Sequence, residues 1–133
     1  MKKKYKILLI VAIILVIIII AGAVIFSTFQ TNLNKLTTVT ITDVDLTKIE
    51  DGTYLGSYGS FPVSAEVQVI VADHKITNIK ILMHNNGQGA NAEVIPENVI
   101  AAQSLEIDIV SGATYSSKVI LKSIQNALKS EKL

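Results

Sequence analysis

The residues best placed to do chemistry are gathered in Asp108-Ile-Val-Ser111-Gly112-Ala113-Thr114-Tyr115-Ser116-Ser117, a hydroxyl-rich stretch running straight into a helical pattern. Two chemistries suit it. Serine and threonine satisfy the free amides at a helix start, and glycine permits an unusual backbone angle, so the stretch can be a simple cap. Alternatively, free amides and the positive end of a helix dipole attract phosphate, and a hydroxyl there can be esterified by a phosphorylated ligand. Gly112 and Ala113 leave the Thr114 hydroxyl open to another protein's active site. Asp108 is either a local base or recognition contact, or an ordinary turn acid.

Few other residues compete. His84 ends a strand-like run, where it either tunes a neighbouring cofactor's protonation or serves as a structural histidine. His74 lies in a turn between Asp73 and Lys75 and is expected to be solvated. Tyr54, Tyr58 and Tyr115 offer rings for stacking or for packing. No catalytic triad or metal cluster is visible. The absence of cysteine rules out disulfides, thiolate metal sites and c-type haem attachment.

These residues need a scaffold. Val63, Ala65, Val67, Val69 and Val71 alternate with Ser64, Glu66, Gln68 and Ile70, which requires a strand with one buried face. Asp73-His74-Lys75 reads as a turn, and Ile76, Ile79 and Ile81 as the returning strand. Thr53 to Tyr58 reads as an earlier strand ending in a glycine bulge or turn, with Pro62 limiting its continuation. A helix is expected from Pro96 to Gln103, reaching back irregularly toward Asn91. A second follows the hydroxyl-rich loop, with Ile120, Ile124, Ala127 and Leu128 on one stripe and Lys118, Lys122 and Lys129 off it. The expected fold class is α+β: an antiparallel sheet of about three to five strands with two helices packed on it, preceded by one transmembrane helix.

That last element is residues 7–26, twenty residues without a charge, which at about 1.5 Å per residue match a hydrocarbon core of roughly 30 Å. Lys2, Lys3, Lys4 and Lys6 precede it, so the positive-inside rule places the tail 1–6 in the cytoplasm and the rest outside. A cleaved signal peptide is the rival, with Ala21-Gly22-Ala23 as the cleavage site, but the apolar run is long for one and continues to Phe26. Residues 27–48 read as a polar extracytoplasmic spacer, with Thr38 to Thr42 alternating like a short strand, and residues 49–133 as the exported domain. Residues 27–133 together hold eight lysines against eleven acids and no arginine, which disfavours nucleic acid as a partner.

Asp108-x-x-Ser111-Gly112-Ala113-Thr114 resembles the flavinylation motif of the FMN-binding domain family, which includes subunits of sodium-pumping NADH:quinone reductases and ferredoxin-oxidising membrane complexes. The resemblance extends from about Asp51 to Leu128. Asp51-Gly52-Thr53-Tyr54 with Gly56 looks like the family's opening strand, and Ala101-Ala102-Gln103-Ser104 like the end of its first helix. Two departures stand out. The early glycine-rich stretch is thinner, and Asn85-Asn86-Gly87-Gln88-Gly89 follows His84 where many members place a Glu-Thr pair. The resemblance implies FMN held covalently through its phosphate on Thr114, attached by an FAD:protein FMN transferase. Ser111, Gly112, Ala113, Asp108, Ser116, Tyr115 and His84 are the further candidate cofactor-binding residues. It implies an electron-transfer domain or redox subunit rather than an autonomous enzyme, with a membrane electron donor and an exported or membrane acceptor. A noncovalent FMN module and a non-redox anchored scaffold are the alternatives.

Overall fold

The computed structural model describes residues 1–85 and 89–133. The chain divides into two compact units, Met1–Thr31 and Asn32–Leu133. The first is helical throughout and leaves its apolar side chains exposed, belonging to a helix long and apolar enough to cross a membrane. This helix, α1, runs Lys2–Thr37, well past the apolar stretch. Residues 27–37, which show no clear helical periodicity in the sequence, are thus part of this helix. Thr28 and Thr31 return their hydroxyls to the carbonyls of Val24 and Ser27, so these polar side chains are accommodated within the helix. Leu36, at its end, is fully buried in the second unit.

The second unit is a three-stranded antiparallel sheet in the order β1-β2-β3, with β1 at Gly52–Ser60, β2 at Val63–Ala72 and β3 at Lys75–Asn85. Two helices cover one face, α2 at Ile95–Ala102 and α3 at Thr114–Leu128. Short 3-10 turns occupy Leu46–Lys48 and Ala90–Val94. The α+β expectation holds at the low end of its strand range. Thr38 to Thr42 joins no ladder, although Val39 and Ile41 are half-buried while Thr40 and Thr42 are exposed. It runs beside α3, where Lys118, Lys122 and Gln125 donate to the carbonyls of Thr37, Thr40 and Thr42. The second contact surface explains why α3 buries Val119, Leu121 and Gln125 as well as the expected stripe.

Every inward residue of β2 from Val63 to Val71 is buried, as the alternation requires. The turn after it places Asp73 and His74 at φ 51° and 58°, the paired left-handed angles of a tight hairpin. His74 is exposed, yet its Nδ1 lies 3.1 Å from the Ile49 carbonyl and so is not merely solvated. Strand β3 carries two register shifts against β2, between Glu66 and Val67 and between Ile70 and Val71. Each inserts one extra β3 residue, Leu82 and Thr77 respectively. The inward set on β3 thereby becomes Ile76, Ile79, Ile81 and His84.

Gly56 is neither bulge nor turn. It pairs with Val67 inside β1, and a Cβ there would stand 2.2 Å from the Ser123 carbonyl oxygen and 2.3 Å from the Ala127 nitrogen. Glycine is needed because the α3 backbone crosses β1 at that point. The outer edge of β1 is closed by the C-terminal region: Asn126, Ser130 and the Leu133 amide donate to the carbonyls of Ser57, Leu55 and Thr53. At the other edge, the Gln103 side chain pairs with both backbone groups of Ile76, accepting from its N–H and donating to its carbonyl at 2.8 Å each. Asp43 ties the segment after α1 to the end of α2, accepting from Ser104 Oγ at 2.6 Å and from the Leu105 amide at 3.0 Å.

Two predictions follow from this packing. Gly56→Ala is expected to destabilise the second unit by about 3 kcal/mol, because the obstacle is backbone that cannot yield, and urea unfolding of the full chain reads it. Partial burial works to raise the Asp43 carboxyl, but the hydrogen bonds from Leu105, Ser104 and Val44 together outweigh it and hold it below its ordinary value of 3.8. A lowered folded-state value adds stability above the unfolded value that is lost as pH falls through the folded one. The unfolding midpoints of wild type and Asp43→Ala are therefore expected to differ at pH 7 and to converge below pH 3.8.

Candidate functional site

Helix α3 begins without a side-chain cap. Its N-cap residue is Ala113, and no side chain accepts from the first turn. Among the described residues, the amides of Thr114, Tyr115 and Ser116 find no acceptor, while the Ser117 amide closes onto the Ala113 carbonyl at 2.9 Å. The capping reading of the hydroxyls is thus overturned in detail. Ser111 and Thr114 are exposed and cap nothing. Ser117 is fully buried, and its Oγ accepts from the Val110 amide at 3.1 Å, holding the incoming loop rather than the helix start. Gly112 takes φ 79°, with open space where a Cβ would stand, so the turn needs glycine for its angle and not for room.

A cavity of about 220 Å³ opens at this helix start, lined by Val63, Gly89, Gly112, Ala113, Thr114, Tyr115 and Ser116. Unsatisfied amides, a helix dipole and an exposed hydroxyl make its polar end suited to a phosphoryl group. Its volume is below the roughly 300 Å³ at which pockets begin to enclose drug-sized ligands and is ample for a phosphoryl group. Phe61 and Val94 are exposed apolar side chains within two residues of Val63 and Glu93.

The structure brings four of the expected residues beyond Thr114 to the cavity: Gly112, Ala113, Tyr115 and Ser116. His84 joins them through Ser116, its Nε2 lying 2.9 Å from the Ser116 Oγ. Asp108 and Ser111 are exposed and stand outside the lining. Tyr54 is a core residue whose hydroxyl donates to the Glu50 carbonyl, and Tyr58 packs at the core's edge. The changed segment at residues 86–88 lies outside the described residues.

Glu93 was not legible as a site residue. Its Oε1 lies 3.0 Å from His84 Nδ1, and the His84 side chain is only 2% exposed. The available signal was that His84 and Glu93 are the two ionisable residues between Lys80 and Glu97. What hid the pairing was the bulge at Leu82, without which strict alternation from Ile81 would turn His84 outward.

Because Thr114 caps nothing, Thr114→Ala is expected to leave the unfolding free energy within about 0.5 kcal/mol of wild type. Ser117→Ala, which strands the Val110 amide, is expected to cost about 1–2 kcal/mol. Denaturant titration of both variants checks the pair, and a loss of about 1 kcal/mol in Thr114→Ala would restore the capping role.

Comparison with known proteins agrees with this geometry. The family model described as FMN-binding domain matches residues 58–129. A stretch of 76 residues is 36% identical to NADH:acrylate oxidoreductase of Vibrio harveyi, covering 55% of this chain and 7% of that protein. The chain thus spans under a tenth of the length of that relative. No solved structure matches significantly. The family match takes in more than half of the chain, including the whole of the α3 loop and the cavity lining, and the chain belongs to the FMN-binding domain family.

Proposed function

We propose that this protein is a membrane-anchored flavoprotein electron carrier, with FMN joined through its phosphate to Thr114. The observation that carries the reading is the exposed Thr114 hydroxyl on an uncapped helix start, lining a cavity of about 220 Å³. The amides of Thr114, Tyr115 and Ser116 would hold the phosphate oxygens, and Gly112 keeps the approach clear. Tyr115, half-buried beside the cavity, offers an edge for the ribityl chain or the ring. When bound, the flavin supplies one- and two-electron transfer between a donor and an acceptor.

Loading requires an FAD:protein FMN transferase. Thr114 Oγ1 attacks the FMN phosphorus of FAD, and the new O–P bond replaces the P–O bond to AMP. AMP leaves, and the hydroxyl proton passes to a base of the transferase. The exposed position of Thr114 suits an external active site. The apolar helix and the lysines before it suit an anchor with its N-terminus in the cytoplasm and the flavin domain outside, relaying electrons from a membrane donor to an exported acceptor. The relative's name, an oxidoreductase of NADH and acrylate, supports a redox role for the shared segment.

Denaturing electrophoresis with in-gel flavin fluorescence tests the attachment. Co-expressed with the transferase, the wild-type chain is expected to give a fluorescent band and Thr114→Ala none. A band that survives in Thr114→Ala sinks the assignment. Fluorescence present in the native protein but lost on denaturation would replace it with a noncovalent module, and no flavin in either state with a scaffold.

A further inference from the structure

Glu93, His84 and Ser116 form a hydrogen-bonded line ending at the cavity. An ionised carboxylate only accepts, so His84 Nδ1 carries the proton shared with Glu93 Oε1 at 3.0 Å. The other ring nitrogen then has two states. In the neutral ring, Nε2 presents a lone pair, and Ser116 must spend its hydroxyl proton on the 2.9 Å contact. In the charged ring, Nε2 donates, and the Ser116 hydroxyl is released to point toward the cavity that Ser116 and Thr114 both line.

This difference bears directly on an anion. With the ring neutral, Ser116 cannot donate to a phosphate; with the ring charged, it can, and a positive charge stands one residue behind it. We infer that His84 is a positioning residue that takes up a proton when a phosphoryl group enters the cavity, with the Ser116 hydroxyl switching from His84 to that phosphoryl group. The inference rests on the reading that the flavin phosphate occupies this cavity.

The electrostatic surroundings favour such a relay. Among the described residues, no lysine lines the cavity. Lys118, one turn into α3, is committed to the Thr37 carbonyl. From β2 the ring faces Ala65, its cross-strand partner, which cannot titrate. Glu66, opposite Met83, and Lys80, opposite Gln68, stand at positions belonging to the other face of the sheet. Glu93 is thus the ionisable group hydrogen-bonded to His84 Nδ1. A Glu-His-Ser order also activates attacking serines. An attacking serine must be reached by an electrophile, whereas a donor needs only to aim its hydrogen, and the 1% exposure of Ser116 suits the donor.

The chain has two histidines, so ring resonances resolve, with His74 as an internal control. Proton–carbon NMR of the full chain in detergent micelles follows the His84 ring against pH in three samples: unflavinylated, unflavinylated with saturating inorganic phosphate, and flavinylated. The His84 midpoint is expected to be higher by about one pH unit, a tenfold gain in proton affinity, in the second and third samples, with His74 unmoved. Ser116→Ala is expected to remove the rise and Ser116→Thr to restore it. Glu93→Gln, at an exposed position, is expected to lower the midpoint in all samples. The flavinylated sample decides where Thr114 carries the flavin, and the phosphate sample decides where it does not. A midpoint that does not rise in the deciding sample, a rise that survives Ser116→Ala, or a midpoint unmoved by Glu93→Gln overturns the relay.

Discussion

The close approach of α3 to β1 at Gly56 is the constraint on which the rest of the domain depends. A helix backbone that sits where a Cβ would otherwise be is held in both translation and tilt, because the carbonyl of Ser123 and the amide of Ala127 are rigid parts of it. Ser123, fully buried, shares its hydroxyl between the Val119 carbonyl and the Ala65 carbonyl of β2. Further along, Asn126 and Ser130 reach the edge of β1. With its body fixed this way, α3 brings its first turn to the sheet end where Val63 begins β2. The position of Thr114 is therefore a consequence of packing more than two turns away.

Alternation on β2 and the α3 stripe were readable because period-2 and period-3.6 patterns report burial on one face. The site was readable only in part. Thr114, Gly112 and Ala113 are neighbours in sequence, so a local motif captures them. His84 and Glu93 reach the same place through tertiary structure, and a bulge interrupts the alternation that would have shown which way His84 points. Residues 27–37 misled for a different reason. Threonine and asparagine are weak helix formers taken singly, yet here they continue a long apolar helix and end at Leu36, whose burial belongs to the second unit.

The lysines of α3 have an unexpected use. Lys118 and Lys122 lie off the apolar stripe, which ordinarily means a solvated face, but they donate to the carbonyls of Thr37 and Thr40 beyond the end of α1 or at its last residue. Cations there complement the negative end of the α1 dipole. The same contacts hold Lys118 and Lys122 on the side of α3 that faces the segment after α1, while the amides of Thr114, Tyr115 and Ser116 are left at the cavity.

The extra residue at Leu82 makes the site depend on an irregularity of the strand. Two residues, Leu82 and Met83, separate Ile81 from His84, and both of those side chains face α3 only because Leu82 stands outside the ladder. The same residues paired without the bulge would keep the isoleucines before it facing the core while turning the imidazole to the opposite face, and Glu93 and Ser116 would lose their common partner. Removing Leu82 together with the bulge would instead keep His84 inward by plain alternation. A bulge in β3, far in sequence from Thr114, thus decides what stands behind it.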